Sequence, residues 1–227
     1  MLIDAYGTIE PVDIPSVDRV LDELINSGLE INGSHFAAVI TAHGCANHDL
    51  DSAMRVFEDL SRLTEKLQRR AVTRLPDVLA YEAILNAVVS HHRFDLMEQY
   101  WQRMQAAKVR PTAYIHNILI RGYSMNSKID EARTLFESMS DPVAGAAAPN
   151  NHMKQLKSND TRVYREVSYS PSFSTNPLLI LYLQPSTWEA MVRAELGAGE
   201  RGRASAIVAR AKERYVSIGS GCDGHTY

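Results

Sequence analysis

The 227-residue chain carries 24 Lys+Arg against 27 Asp+Glu, a formal net charge of −3 and a sequence pI of about 6.2. That balance excludes a protein that grips nucleic acid by bulk charge, so a polyanionic partner needs a localised surface. With 45% hydrophobic residues the chain is long enough for one domain or a short row of stacked hairpins, and its longest apolar run, 177–183, is far too short to span a bilayer. Cys45 and Cys222 form no CxxC, which leaves neither a disulfide framework nor a zinc-ribbon spacing.

Taken in order, residues 7–15 read as a turn with two prolines, Pro11 and Pro15, the latter acceptable in a helix's first turn. Val17, Val20, Leu21 and Leu24 then sit at i, i+3, i+4 and i+7, one stripe of a helix that runs to about Asn26, with Gly28 as its C-terminal cap. Phe36, Val39, Ile40 and His43 start the next hairpin, and Ala53, Val56, Phe57 and Leu60 complete it. Its helix is expected to continue through 62–70. This arm, with Arg62, Lys66, Arg69, Arg70 and Arg74, reads either as a solvated helix extension or as an electrostatic contact for RNA or a partner.

Tyr81-Glu82-Ala83-Ile84-Leu85-Asn86-Ala87-Val88 opens a third hairpin and His116-Asn117-Ile118-Leu119-Ile120-Arg121-Gly122-Tyr123 a fourth, 35 residues on (81 to 116). Their second helices carry the same quartet, as Met97, Tyr100, Trp101 and Met104 and as Ala132, Leu135, Phe136 and Met139; Ala204, Ile207, Val208 and Ala211 echo it weakly. The steps between quartets are 36 (17 to 53), 44 (53 to 97), 35 (97 to 132) and 72 (132 to 204), so two fit one period and two carry insertions. A fixed period in this range marks units that cannot bury their apolar faces alone and stack on their neighbours. The expected fold is all-α: an α-solenoid of about four to five helix-turn-helix hairpins.

The strings Ala80-Tyr81-Glu82-Ala83-Ile84-Leu85-Asn86-Ala87, Ile129-Asp130-Glu131-Ala132-Arg133-Thr134-Leu135-Phe136-Glu137-Ser138-Met139 and Lys108-Val109-Arg110-Pro111-Thr112 resemble the pentatricopeptide repeat. Its consensus runs roughly V-T-Y-N-T-L-I-D-G-Y, then L-D-E-A-L-E-L-F-E-E-M, then G-I-K-P-D. The likeness is strong over 77–139, fair over 1–60 and poor after 141. The tetratricopeptide repeat makes a similar hairpin, but its W-x2-L-G-x2-Y opener is absent.

Met1-Leu2-Ile3-Asp4-Ala5-Tyr6 is similar to the middle of the family's first helix with the preceding turn missing. A natural start there would leave amide donors uncapped, so Met1 is expected to be an internal methionine of a protein that extends upstream, where any targeting peptide would lie. Repeats are expected over 1–141, a disordered linker over 142–184, a last hairpin over 185–215 with Trp188 in the place of Tyr81, and a disordered tail over 216–227. Within the linker, Val167-Ser168 can be encoded by GTRAGT and Gln184 by CAG, the two ends of a spliceosomal intron. Residues 167–184 therefore read as intron read-through or as an ordinary loop, and Val216-Ser217 repeats the donor signature.

Little in the chain suggests chemistry. His43-x-Cys45-x2-His48 offers three ligands without a fourth, and His43 occupies the repeat's tyrosine place, where a core histidine is the simpler reading. His91-His92 lies in a hairpin turn and reads as a solvated pair. No G-x-S-x-G, H-E-x-x-H or P-loop appears, so neither catalysis nor a metal or other cofactor is expected. Trp101 and Trp188 sit on core stripes and read as packing.

The resemblance implies modules that each read one RNA base with side chains on a concave row of first helices. By motif position, the resemblance implies that the base is chosen by the fifth-place residues Ala37, Glu82, Asn117 and Glu189 together with the last-place residues Asn32, Asp77 and Thr112, and is sandwiched by the second-place residues Ser34, Leu79, Tyr114 and Ser186. A base edge needs a donor or acceptor, which Asn117 supplies and Ala37 does not, while Glu82 and Glu189 repel phosphates unless paired. The partner implied is single-stranded RNA, an organellar transcript in the mitochondrion, bound weakly, by shape, or as part of a longer array, with no membrane involved. The alternative is a tetratricopeptide-like scaffold that binds protein on the same face, favoured by the acidic balance and by Glu82 and Glu189.

Overall fold

The computed structural model describes Gly7 and residues 12–27, 32–67, 76–141 and 185–215. The readings made for the linker 142–184 with its segment 167–184, for the tail 216–227, for residues 1–6 and for Arg69, Arg70 and Arg74 lie outside these. Every regular element among the described residues is helical: α1 (Ile14–Asn26), α2 (Gly33–Thr41) running into a π turn (Ala42–Ala46), α3 (Leu50–Leu67), α4 (Val78–Ser90), α5 (Phe94–Ala106), α6 (Ala113–Met125), α7 (Ile129–Glu137), α8 (Pro185–Gly197) and α9 (Arg201–Tyr215). They fall into two compact units, Met1–Pro111 and Thr112–Tyr227.

Short polar side chains set where the helices begin. The Asp13 carboxylate accepts from the Ser16 amide, and Pro15 follows within the first turn of α1. Asn32, Asp77 and Thr112 do the same for α2, α4 and α6, each with extended backbone. Hairpin turns are equally regular: His48, His92, Ser127 and Gly199 take positive φ of 53°, 56°, 58° and 81°. The amide after each closes a 2.9 Å bond to the preceding helix, Arg93 to Val88 O, Lys128 to Tyr123 O and Glu200 to Glu195 O, which is the Schellman closure.

The second hairpin differs by one residue. From helix cap to left-handed residue takes 15 positions in the third and fourth hairpins (77 to 92, 112 to 127) but 16 in the second (32 to 48). The π turn holds the extra residue, so the closing bond there runs from Asp49 N–H to His43 O, one position longer than in the others. Gly44 lies inside that turn, where a Cβ would meet Ala87 Cβ at 2.6 Å. The step of 36 between the first two quartets therefore carries a real insertion.

In the first unit the quartets point inward. Val17, Ala53, Phe57, Leu60 and Met104 are 0% exposed, Met97 1% and Tyr100 2%, and α2 and α4 pack side by side against Val39, Ile40, Ile84 and Leu85. Trp101 is only half-buried. The Phe57 ring meets Tyr81 and Tyr100 edge-on, each at 5.2 Å. Over it lies Arg103, 5.4 Å from the Phe57 centroid and 5.2 Å from Tyr100, with its guanidinium forked onto Glu58. Burial, reinforced by the Glu58 charge, pushes the Tyr100 phenol up to about 12.

The second unit builds the same arrangement from different residues. Phe136, 1% exposed, meets Trp188 edge-on at 5.3 Å, and Arg210 covers both rings at 5.7 and 5.3 Å. Arg210 also pairs with Glu137 at 3.0 Å and with Asp141 at 2.5 and 3.0 Å. Phe57 and Phe136, Glu58 and Glu137, and Arg103 and Arg210 occupy equal places in their hairpins. A cation held over buried rings is worth about 0.5–2 kcal/mol, so the charge reinforces packing that the rings supply. A second pair is deeper: Arg133 forks onto Glu195 at 2.8 and 2.7 Å, with Glu195 only 2% exposed.

Candidate nucleic-acid interface

In the first unit the last-place residues are engaged with backbone. Asn32 accepts from Ser34 N–H and Ser34 Oγ, while the Asn32 amide donates to His35 Nδ1, closing a capping box. Asp77 accepts from Leu79 and Ala80 N–H at 3.1 Å. Its carboxylate also lies on Gly33 at the start of α2, so close that a Cβ there would fall 1.9 Å from either oxygen. Burial raises the Asp77 carboxyl above its ordinary range, although bonds from the Ala80, Leu79 and Gly33 amides pull the other way. Ser34 is exposed, and Ala37, Leu79 and Glu82 are half-buried. No cation stands on the stripe those residues define in α2 and α4, which continues to Thr41 and Asn86.

In the second unit, α6 and α8 pack side by side. Thr112 is 6% exposed and caps α6 through the Ile115 amide at 3.3 Å. Beneath the face, His116 is 0% exposed, and burial lowers its imidazole to about 4. Tyr114 stands 46% exposed. Asn117 Nδ2 donates to Ser186 Oγ at 2.9 Å, which joins the fifth place of one hairpin to the second place of the next. The Asn117 Oδ1 atom is itself buried and lacks a hydrogen-bond partner among the described residues. Glu189 pairs with Arg193 at 2.5 Å, both exposed, which answers the charge at its fifth place.

The structure thus brings Tyr114, Asn117, Ser186 and Glu189 together on one face, and separately Ser34, Ala37, Leu79 and Glu82 on another. Asn32, Asp77 and Thr112 lie at the helix starts as caps. Sequence reasoning missed Arg121 and Arg193, both exposed, four residues beyond Asn117 and Glu189 on the same stripes. The i, i+4 spacing of helices was the available signal.

The histidine motif disperses. His43 Nε2 lies 2.8 Å from Asp18 Oδ1, Cys45 Sγ accepts from Asn86 Nδ2 at 3.5 Å, and His48 stacks edge-on with His91. His91 donates to the Gly44 carbonyl at 2.7 Å, so it is tied into the π turn and only His92 of that pair is exposed. Among the described residues no three His, Cys, Asp or Glu side chains converge on a metal position.

A family model described as PPR repeat matches residues 114–141, and one described as pentatricopeptide repeat domain matches 62–126. Pentatricopeptide repeat-containing protein 5, mitochondrial, of Schizosaccharomyces pombe is 25% identical over 171 residues, covering 74% of this chain and 13% of that protein. The mitochondrial 15S rRNA processing factor of Yarrowia lipolytica is 25% identical over 136 residues, covering 59% and 17%. Among solved structures, the pentatricopeptide repeat protein PPR10 in complex with an 18-nt psaJ RNA element superposes with a TM-score of 0.56 at 12% identity, covering 91% of this chain and 24% of that one. The same protein from maize gives 0.51 at 15% identity, covering 95% and 24%. These likenesses establish the fold class, an α-solenoid of helical hairpins. The chain spans less than a fifth of the length of either curated relative.

Proposed function

This chain belongs to the pentatricopeptide repeat family, and we propose on that premise that it binds single-stranded RNA through its first helices, with Tyr114 and Asn117 as the principal contacts. The observation that carries this reading is the 46% exposed phenol ring of Tyr114 on α6, three residues before the half-buried Asn117 amide that is held on Ser186 Oγ at 2.9 Å. An exposed ring offers a base a stacking surface, and an amide edge offers hydrogen bonds to its rim. Ser34, Ala37, Leu79 and Glu82 stand at the equivalent places of the first unit but offer neither ring nor amide, so contacts there are weaker. The caps Asn32, Asp77 and Thr112 contribute by fixing where each first helix starts.

The setting follows from the relatives' names, two of which are mitochondrial and one of which is a ribosomal RNA processing factor. We place the protein in mitochondrial RNA processing, stability or translation, with an organellar transcript as ligand. Binding of pooled single-stranded RNA by the purified full chain tests this: affinity should fall steeply as salt rises, because phosphate contacts release counterions. No salt-sensitive binding would replace the reading with a protein-binding scaffold, for which the half-buried Leu79 and Glu82 of α4 are the favouring observation.

A further inference from the structure

The outward stripe of each first helix, part exposed and part half-buried, carries three places, the second, fifth and ninth after the cap. In α2 they hold Ser34, Ala37 and Thr41; in α4, Leu79, Glu82 and Asn86; in α6, Tyr114, Asn117 and Arg121; in α8, Ser186, Glu189 and Arg193. Cations occupy the ninth place only in the second unit. On α6 the three side chains lie at i, i+3 and i+7, within one narrow stripe about 10 Å long. This orders an aromatic ring, an amide and a guanidinium along the helix, the three chemistries that a nucleotide's base face, base edge and phosphate require.

We propose that Arg121 is a phosphate contact of the α6–α8 face and that Arg193 is a second one, held in check by Glu189. The inference rests on the RNA-binding reading above and adds to it where the backbone charge is met. With a formal net charge of −3, the chain needs local cations to hold a polyanion. Arg121 is exposed and rigidly mounted, one helical turn beyond Asn117, in a helix whose Ile115, Leu119 and Ile120 are all 0% exposed. The Arg193–Glu189 pair is exposed on both sides, with side chains 77% and 61% accessible, so a phosphate can displace the carboxylate at little expense.

The test is the salt dependence of binding by the full chain to a random-sequence single-stranded RNA oligonucleotide. Arg121→Gln should flatten the log–log slope by about 0.7, the value for one contact on a single strand. Glu189→Gln should steepen it by a similar amount and tighten binding, because Arg193 is released. Arg203→Gln, an exposed arginine on the second helix α9, should leave the slope unchanged. Circular dichroism on each variant verifies that helicity is retained. RNA binding with an unaltered slope in Arg121→Gln, or with the same flattening in Arg203→Gln, overturns the phosphate assignment while leaving the RNA reading intact. Absence of RNA binding by the unsubstituted chain overturns both.

Discussion

The two units use one packing arrangement and differ in the face they present. In the first, Phe57, Tyr81, Tyr100, Arg103 and Glu58 form a stack of rings under a paired guanidinium; in the second, Phe136, Trp188, Arg210, Glu137 and Asp141 do so. The first-helix residues above these stacks share no such likeness. Ala37, Leu79 and Glu82 stand where Asn117 and Tyr114 stand in the second unit. Packing is therefore the repeated property, set by apolar volume and a covering cation, while the exposed stripe varies independently of it.

The largest effects test whether the two stacks are equivalent. Phe57→Ala and Phe136→Ala each remove a ring that is at most 1% exposed, and each should cost about 3–5 kcal/mol in denaturant unfolding. Costs differing by more than about 2 kcal/mol would mean that the shared geometry hides unequal packing.

Burial separates the ion pairs next. Glu195→Gln leaves Arg133 short of its carboxylate at a site where the acid is 2% exposed, and should cost about 3 kcal/mol. Glu58→Gln breaks a pair 41% exposed on both sides and should cost less than about 1 kcal/mol.

Acid should distinguish the units by sign. The His116 imidazole in the second unit titrates at about 4 in the fold and 6.5 when unfolded, so the unfolded chain takes up the proton first. Its contribution, on the order of 3 kcal/mol, should be lost as pH falls from 6.5 towards 4, and His116→Leu should flatten that limb of the stability profile. Asp77 in the first unit works oppositely. Its folded carboxyl is raised above 3.8, so it favours the fold at low pH and loses that contribution as pH rises through its folded value. Asp77→Asn keeps a good cap and should remove this opposing slope.

The smallest effect concerns the turns. Ser127 holds φ of 58° without being glycine, and Ser127→Gly should raise thermal stability by about 0.5 kcal/mol, whereas the same measurement on a Gly199→Ala variant should show a loss.

Much of this was legible beforehand. The quartets at i, i+3, i+4 and i+7 gave the helices and their buried faces, because burial of a stripe is what that spacing means. Trp101, half-buried where its register mates Phe57 and Phe136 are enclosed, shows that a stripe position does not fix depth. The π turn was hidden, since one added residue looks like ordinary scatter in a period; only the longer closing bond at His43 exposes it. The pairing of Arg103 with Glu58 or of Arg133 with Glu195 joins residues of different hairpins, which no local pattern announces. The caps were read as base-choosing positions because one residue can satisfy both descriptions, and the amide bonds at Asn32, Asp77 and Thr112 appear only with coordinates.

On the proposed reading, RNA is held chiefly by the second unit's first helices. Equilibrium binding of single-stranded RNA to Tyr114→Ala and to Leu79→Ala, residues at equal places in their hairpins, tests it most directly. Loss of the stacking ring should weaken binding by about ten- to a hundred-fold, while Leu79→Ala should leave it within about two-fold of the unsubstituted chain. Equal losses in the two variants, or none in Tyr114→Ala, would contradict it.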